Sequence, residues 1–264
     1  MAPITISNLN KIKAQHKNFS CVTAYDATFT QLINEVGIET ILVGDSLGMV
    51  MQGHQTTVPV SMESMLYHTQ CVARANRTAF ILADMPFMSY ADKSSALKNA
   101  TTLMQSGAHM IKMEGGDWLA DIIETLVRNG IPVCAHIGLL PQSINTLGGY
   151  KVQGKTEEQI NQLTTTAKTL EQAGSQILLM ECVVNSVATQ ITDQANIPTI
   201  GIGSGNGTTG QVLVLHDLLG LTAKPAKFVK NFMQNNNSIL DALASYHQEV
   251  KSRDFPTDAH CFNK

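Results

Sequence analysis

AFILADMPFMSYADKSSALKNATTLMQSGAHMIKMEG, residues 79–115, holds two short apolar runs separated by a segment with a helical period. AFILADM (79–85) and HMIKMEG (109–115) have the length and apolar character of buried strands. Between them, SALKNATTLMQSG repeats its apolar side chains at helical spacing and stops at Gly107, a residue suited to the left-handed turn that ends a helix. A strand, a helix and a second strand in this order form a parallel pair joined by a right-handed crossover.

The same unit recurs in both directions. CVTAYD (21–26) and ETILVGD (39–45) precede it, and PVCAHIG (132–138), SQILLME (175–181), PTIGIG (198–203) and QVLVLHD (211–217) follow. FTQLINEVG, WLADIIETLVRNG and EEQINQLTTTAKTLEQAG fill several gaps with helical patterning, and Gly37, Gly130 and Gly174 stand at their ends. Eight strands alternating with helices over about 220 residues match the count and size of an α/β protein of the (β/α)8 TIM barrel type. A doubly wound open sheet is the competing arrangement, because periodicity does not show closure. No linker or low-complexity tract interrupts the pattern, so residues 1–264 read as one barrel domain. From about residue 224, FVKNFMQ and SILDALASYHQEV read as one or two helices that finish the outer layer.

Composition narrows the function. The 18 basic and 21 acidic residues give a net charge of −3, with no Lys/Arg tract dense enough to follow a phosphate backbone, so nucleic acid is not expected as a partner. Five scattered cysteines without a C-x-x-C pair suggest neither a disulfide framework nor a structural zinc site, and fit a reducing cytoplasm. MAPITISNLNKIK lacks a signal-peptide segment, and no window approaches the roughly 18 apolar residues of a membrane span, so no membrane partner is expected.

The strands end on charge. Asp26, Asp45, Asp84, Glu114, His136, Glu181 and Asp217 lie at or just past seven of the eight runs, and in a parallel barrel those ends share the face that carries active sites. Alternation puts Ile41, Val43 and Asp45 on one side of their strand, as it does Phe80, Leu82 and Asp84, then Met110, Lys112 and Glu114, then Ile177, Leu179 and Glu181. If the apolar members line the barrel, the ionisable ones crown it. Carboxylates gathered around one axis need cations among them, and Lys112 supplies one. A second is Mg²⁺, a hard ion suited to two or three carboxylates with positions left for water and substrate. A single acidic residue at a strand end is more often a helix cap, and Asp26 reads that way; a set of five on the same expected side does not. His136 is balanced between a core role and a site role, and His216 and Asp217 carry less signal.

Other features carry less chemistry. GNGTTG (205–210) fits G-x-G-x-x-G, but a β-rich run follows it instead of a helix, which argues against dinucleotide binding. The glycines of GIGSGNG are expected to allow a tight turn or a close approach at the rim. Cys182 follows Glu181 and is expected on the opposite side of the strand, a poor place for a nucleophile. Two segments, 46–59 and 138–156, read as long rim loops, the second with four glycines and no apolar period.

Taken in series, VTAYDA, LVGDSLGMVMQGH, LADMPFMSY, IKMEGG, HIGLLPQS, GGYKVQG, LLMECV, IGIGSG, LVLHDLLG and KFVKNF resemble, in order and spacing, the 3-methyl-2-oxobutanoate hydroxymethyltransferase (ketopantoate hydroxymethyltransferase) family, nearly end to end. The stretch LTAKPAKFVKNF (221–232) is a little shorter than in some relatives. The resemblance implies a TIM barrel of the phosphoenolpyruvate mutase/isocitrate lyase-like type, dependence on Mg²⁺, and homo-oligomers, decamers in particular. It implies transfer of a hydroxymethyl group from 5,10-methylenetetrahydrofolate to 3-methyl-2-oxobutanoate through a Mg-stabilised enolate, giving 2-dehydropantoate for pantothenate biosynthesis. On this likeness Asp45, Asp84 and Glu114 match the metal ligands. Asp45, Ser46, Asp84, Lys112 and His136 match the positions that hold the 2-oxo acid, and Glu181 matches the proton acceptor.

Two other functions compete. Lyases and mutases of the related barrel type usually depend on a loop cysteine, and segments 46–59 and 138–156 contain none. A non-catalytic metabolite-binding protein is disfavoured because the whole charged set is present.

Overall fold

All eight apolar runs become strands in the computed structural model, which describes residues 2–149 and 151–263. Tyr150, within the second expected rim loop and the word GGYKVQG, lies outside the described residues. The strands are β1 (Phe19–Thr23), β2 (Thr40–Val43), β3 (Phe80–Asp84), β4 (Met110–Glu114), β5 (Val133–Gly138), β6 (Ile177–Glu181), β7 (Thr199–Ile202) and β8 (Gly210–Leu213). Each pairs in parallel with its neighbour in the chain, and Phe19 of β1 pairs with Gly210 of β8, which closes the barrel and excludes the open sheet.

The helices are α1 (Ile6–Ala14), α2 (Ala27–Val36), α3 (Leu47–Val50), α4 (Met62–Ala75), α5 (Lys93–Gln105), α6 (Ala120–Arg128), α7 (Ile144–Leu147), α8 (Glu157–Gln172), α9 (Asn185–Gln194), α10 (Leu215–Leu218) and α11 (Ile239–Ser252). Their starts follow local chemistry: Asp26, Ser61, Asp92, Thr156 and Ser238 accept hydrogen bonds from backbone N–H groups of the first turns of α2, α4, α5, α8 and α11. Asp26 is therefore a helix cap, as expected. Gly37, Gly107, Gly130 and Gly174 all take positive φ where their helices end.

Two apolar layers result. Ile41, Val43, Ile81, Ala83, Ile111, Met113, Leu178 and Met180 pack between the strands and the helices. Phe19, Leu42, Phe80, Leu82, Met110, Cys134, Ile177, Leu179, Ile200 and Val212 fill the barrel itself. The N-terminal segment forms α1, whose Leu9 is fully buried in this inner cluster, with Ile4, Ile6 and Ile12 packed against it. Burying such a leucine contributes about 1.5–3 kcal/mol, and α1 thereby shuts the barrel at the N-terminal ends of its strands. On the seam, the Tyr246 hydroxyl of α11 lies 2.7 Å from the Cys21 carbonyl of β1 and 2.8 Å from that of Gln211 in β8.

Three expectations are corrected. In β2 it is Leu42 that faces inward, while Ile41 and Val43 face the helices, so Asp45 does not reach the mouth by strand alternation. The strand ends at Val43, and a turn in which Leu47 N–H bonds to Gly44 O (3.1 Å) re-aims the chain. QVLVLHD is a strand only to Leu213, because the Leu215 N–H turns to the Thr23 hydroxyl (2.9 Å) and α10 begins, carrying His216 and Asp217. The rim segments are not featureless: the first contains α3, and the second contains a 3-10 turn at Pro141–Ser143 followed by α7. The tail, expected to form one or two helices, forms one long helix, α11, preceded by a 3-10 turn (Phe232–Asn235).

Candidate active site

Strand register brings the charges together. Asp84 of β3 pairs with Lys112 of β4, Glu114 of β4 with His136 of β5, and Gly138 of β5 with Glu181 of β6. On β3, β4 and β6 the expected inward alternation holds. With Asp45 and Ser46, which follow β2, these side chains line one cavity of about 830 Å³ at the C-terminal mouth of the barrel. Every candidate residue named from the sequence therefore lines this cavity: Asp45, Ser46, Asp84, Lys112, Glu114, His136 and Glu181.

Asp84 is the hub of the first half. One carboxylate oxygen pairs with the Lys112 ammonium, and the other accepts the Asp45 N–H at 3.0 Å. Asp84 and Lys112 are both almost fully buried. Burial alone would discharge the lysine, but Asp84, Glu114 and Asp45 outweigh it and hold its pKa above the usual value, so it remains an ammonium. The Asp45 carboxyl is pushed well above the carboxylate range by burial and then by the charges of Asp84 and Glu114. Ser46 shares a 2.9 Å hydrogen bond with the Tyr25 hydroxyl, which fixes its Oγ at the cavity wall.

The second half is built around His136. Its Nδ1 lies 3.3 Å from Glu114 Oε2 and its Nε2 lies 3.5 Å from Glu181 Oε2, yet none of these contacts has hydrogen-bond alignment for the imidazole. Burial, reinforced by Lys112, drives the His136 pKa well below its ordinary value and keeps the ring neutral. Burial pushes Glu114 up to about 7, against the opposing pull of Lys112, and pushes Glu181 up to about 8, with Glu114 adding to the rise. Gly138 makes room for this half: at φ +95° it sits so close to the Glu181 backbone that a methyl group there would collide with the Glu181 carbonyl oxygen.

Gln142 joins the halves and was not foreseen from the sequence. Its side-chain amide donates to Asp45 Oδ2 at 2.8 Å and to Met85 O at 3.0 Å, and its backbone N–H donates to Glu114 Oε1 at 2.6 Å. The Tyr90 hydroxyl donates to Gln142 Oε1 at 2.6 Å and also lies 3.0 Å from Glu114 O. A neutral glutamine on a loop carries no periodicity or charge signal; only its neighbours in HIGLLPQS could have drawn attention to it. The outer wall of the cavity, with His216, Asp217, Leu221, Lys224, Lys227, Phe228 and Phe262, also went unread or was given little weight.

Cys182 needs a correction. β6 ends at Glu181, and Cys182 takes a left-handed φ of +49°, which brings it to the same cavity instead of the opposite side. It remains a poor nucleophile, because burial and the neighbouring Glu181 push its thiol pKa up and disfavour the thiolate.

The donor set suits a hard cation. Asp45, Asp84 and Glu114 offer oxygen only, a single ammonium offsets them, and Glu114 Oε2 is buried without a hydrogen-bond partner. Among the described residues no three His, Cys, Asp or Glu side chains form a ready metal cage. An ion here would have to complete its shell with water or substrate, a common habit of Mg²⁺. Among the described residues no helix is long and apolar enough to cross a membrane.

Comparison with known proteins gives a consistent result. A family model described as ketopantoate hydroxymethyltransferase matches residues 3–258. The chain is 52% identical over 260 residues to the 3-methyl-2-oxobutanoate hydroxymethyltransferase of Marinobacter nauticus, covering 98% of each chain. It is 52% identical over 262 residues to the protein of that name from Photorhabdus laumondii, covering 99% of this chain and all of the relative. Among solved structures, phosphonopyruvate hydrolase matches with a TM-score of 0.64 at 11% identity, over 83% of this chain and 84% of that one. 2,3-Dimethylmalate lyase, a member of the PEP mutase/isocitrate lyase superfamily, matches with a TM-score of 0.59 at 14% identity, over 95% and 98%. At such identities these two likenesses speak for the barrel alone.

Proposed function

The chain belongs to the ketopantoate hydroxymethyltransferase family, and we propose that it transfers a hydroxymethyl group to 3-methyl-2-oxobutanoate, giving 2-dehydropantoate for pantothenate biosynthesis. The donor is 5,10-methylenetetrahydrofolate; with one water consumed, it leaves as tetrahydrofolate. The observation that carries this reading is the set of buried Asp45, Asp84, Lys112 and Glu114 with the partly buried Glu181 at the mouth of the barrel, in a chain with full-length relatives of that name.

Asp45, Asp84 and Glu114 would hold Mg²⁺. When bound, the ion supplies positive charge that polarises the keto group of the substrate and favours the enolate over the ketone. Lys112, kept charged by Asp84, sets a second positive charge beside the substrate oxygens, and Ser46, fixed by Tyr25, offers them a hydroxyl. His136, neutral and fully buried between Glu114 and Glu181, fills the floor beneath the base.

Glu181 removes the proton from C3. Its strand lies four places around the barrel from β2, so it faces the substrate from the side away from Asp45. A carboxylate raised to about 8 is a stronger base than an ordinary one and better matched to a carbon acid. The enolate carbon then forms its bond to the methylene carbon of the donor as that carbon's bonds to the two folate nitrogens break; water supplies the new hydroxyl, and the proton from C3 and one from water end on the nitrogens of tetrahydrofolate. The same reading makes the protein a cytoplasmic homo-oligomer, a decamer in particular; the five free cysteines suit a reducing compartment.

The test uses the purified protein with 3-methyl-2-oxobutanoate in deuterated buffer, with and without Mg²⁺ and the folate donor. Mg²⁺-dependent exchange at C3 without donor, and 2-dehydropantoate formation with it, are expected. A protein that performs neither reaction refutes the reading.

A further inference from the structure

Resting on that reading, we infer that the folate donor binds along the cavity wall made by His216, Leu221, Phe228 and Phe262, with its glutamate carboxylates directed to Lys224 and Lys227.

The cavity is too large for the oxo acid alone. Pockets of about 300–1,000 Å³ enclose ligands of drug size, and at about 830 Å³ this one leaves most of its volume free once a small branched oxo acid sits among Asp45, Lys112 and Glu181. The remaining wall differs in kind. It comes from α10, from residues 221–228 and from Phe262, and presents apolar and aromatic surface on which a flat heteroaromatic ring can stack. Gly203 at the end of β7 permits this wall: a methyl group on it would stand 2.8 Å from the Phe228 ring and 3.3 Å from that of Phe262.

Polar handles lie on the same wall. His216 Nδ1 is buried without a hydrogen-bond partner, and the neighbouring Asp217 carboxylate accepts from the Thr222 hydroxyl. Such groups can pair with the ring nitrogens and amino group of a pterin. The cations stand farther along: Lys227 Nζ donates to Cys261 O at 2.5 Å and lies 5.4 Å from the centre of the Phe262 ring. Lys224 is exposed and, among the described residues, makes no ion pair.

Charge then fixes the direction of binding. Lys224 and Lys227 at the outer end of the wall attract the glutamate tail outward, so the methylene end of the donor points to the oxo acid.

The experiment is steady-state kinetics with monoglutamyl and triglutamyl 5,10-methylenetetrahydrofolate on the wild type, Lys224→Glu and Lys224→Arg. Lys224→Glu should raise KM for the donor roughly three- to tenfold, the size expected for reversing one exposed charge. The rise should be larger for the triglutamyl form, and Lys224→Arg should restore the wild-type value. A donor KM for Lys224→Glu within about twofold of wild type overturns the subsite and leaves the activity standing. A wild type that exchanges the C3 proton yet transfers no carbon from this donor overturns the activity, and the subsite with it.

Discussion

Gln142 reaches across the barrel mouth to Asp45: its side-chain amide donates to Asp45 Oδ2 at 2.8 Å, while its own backbone N–H is bound to Glu114. The proposed metal ligands are thus oriented by a loop residue that does not itself bind the ion. Loss of such an orienting contact typically costs about 10–100-fold in metal affinity. Gln142→Leu should therefore weaken Mg²⁺ binding by that order while the fold is kept; calorimetric titration of Mg²⁺ on the wild type and the variant measures it, and equal affinities would count against the arrangement.

Glu181→Gln removes the proposed base and keeps the shape. It should slow C3 deuterium exchange by about 10²–10⁴-fold, the usual worth of general base catalysis, with Mg²⁺ and oxo acid still bound. Exchange at the wild-type rate would reassign the base to another group.

The buried carboxylates give stability a pH slope. Glu114 and Glu181, raised to about 7 and about 8, bind more protons in the folded than in the unfolded chain at pH values between their ordinary range and these figures. Stability therefore falls as pH rises through that interval. His136 and the other lowered histidines act oppositely, but only below their unfolded value of about 6.5. The clean window is thus about pH 6.5–8. There the metal-free protein should lose thermal stability with rising pH, and Mg²⁺, proposed to bind the ionised carboxylates, should flatten the slope. Melting curves at several pH values, with Mg²⁺ or chelator, decide it.

Gly138→Ala forces a side chain into a left-handed backbone and against the Glu181 carbonyl. The strained backbone alone costs about 1–3 kcal/mol, so the urea midpoint should drop. Exchange activity should fall further than the lost folded fraction explains, because Glu181 must move.

What could be read from the sequence follows from what is local. The presence of the eight strands, the helix period, the cap at Asp26 and the stops at Gly37 and Gly107 each depend on neighbours in the chain, and each stands as expected. The face of β2 was not legible, because Ile41, Leu42 and Val43 are all apolar and a strand buried on both sides shows no alternation. Asp84, Lys112, Glu114 and Glu181 stood out because charge inside a barrel is rare and three of its strands kept phase. Gln142, Tyr90 and the outer wall are set by contacts between distant segments. The turn at Cys182 reflects a positive φ that no residue type announces.

The plug formed by α1 has a kinetic meaning. With Leu9 and the inner apolar layer sealing the far end, the cavity is a cul-de-sac, and everything that enters or leaves must use one doorway. The ligand that sits deepest must arrive first and depart last. For two substrates of unequal depth, such a shape imposes a compulsory order, and an occupant of the outer wall traps whatever lies beneath it.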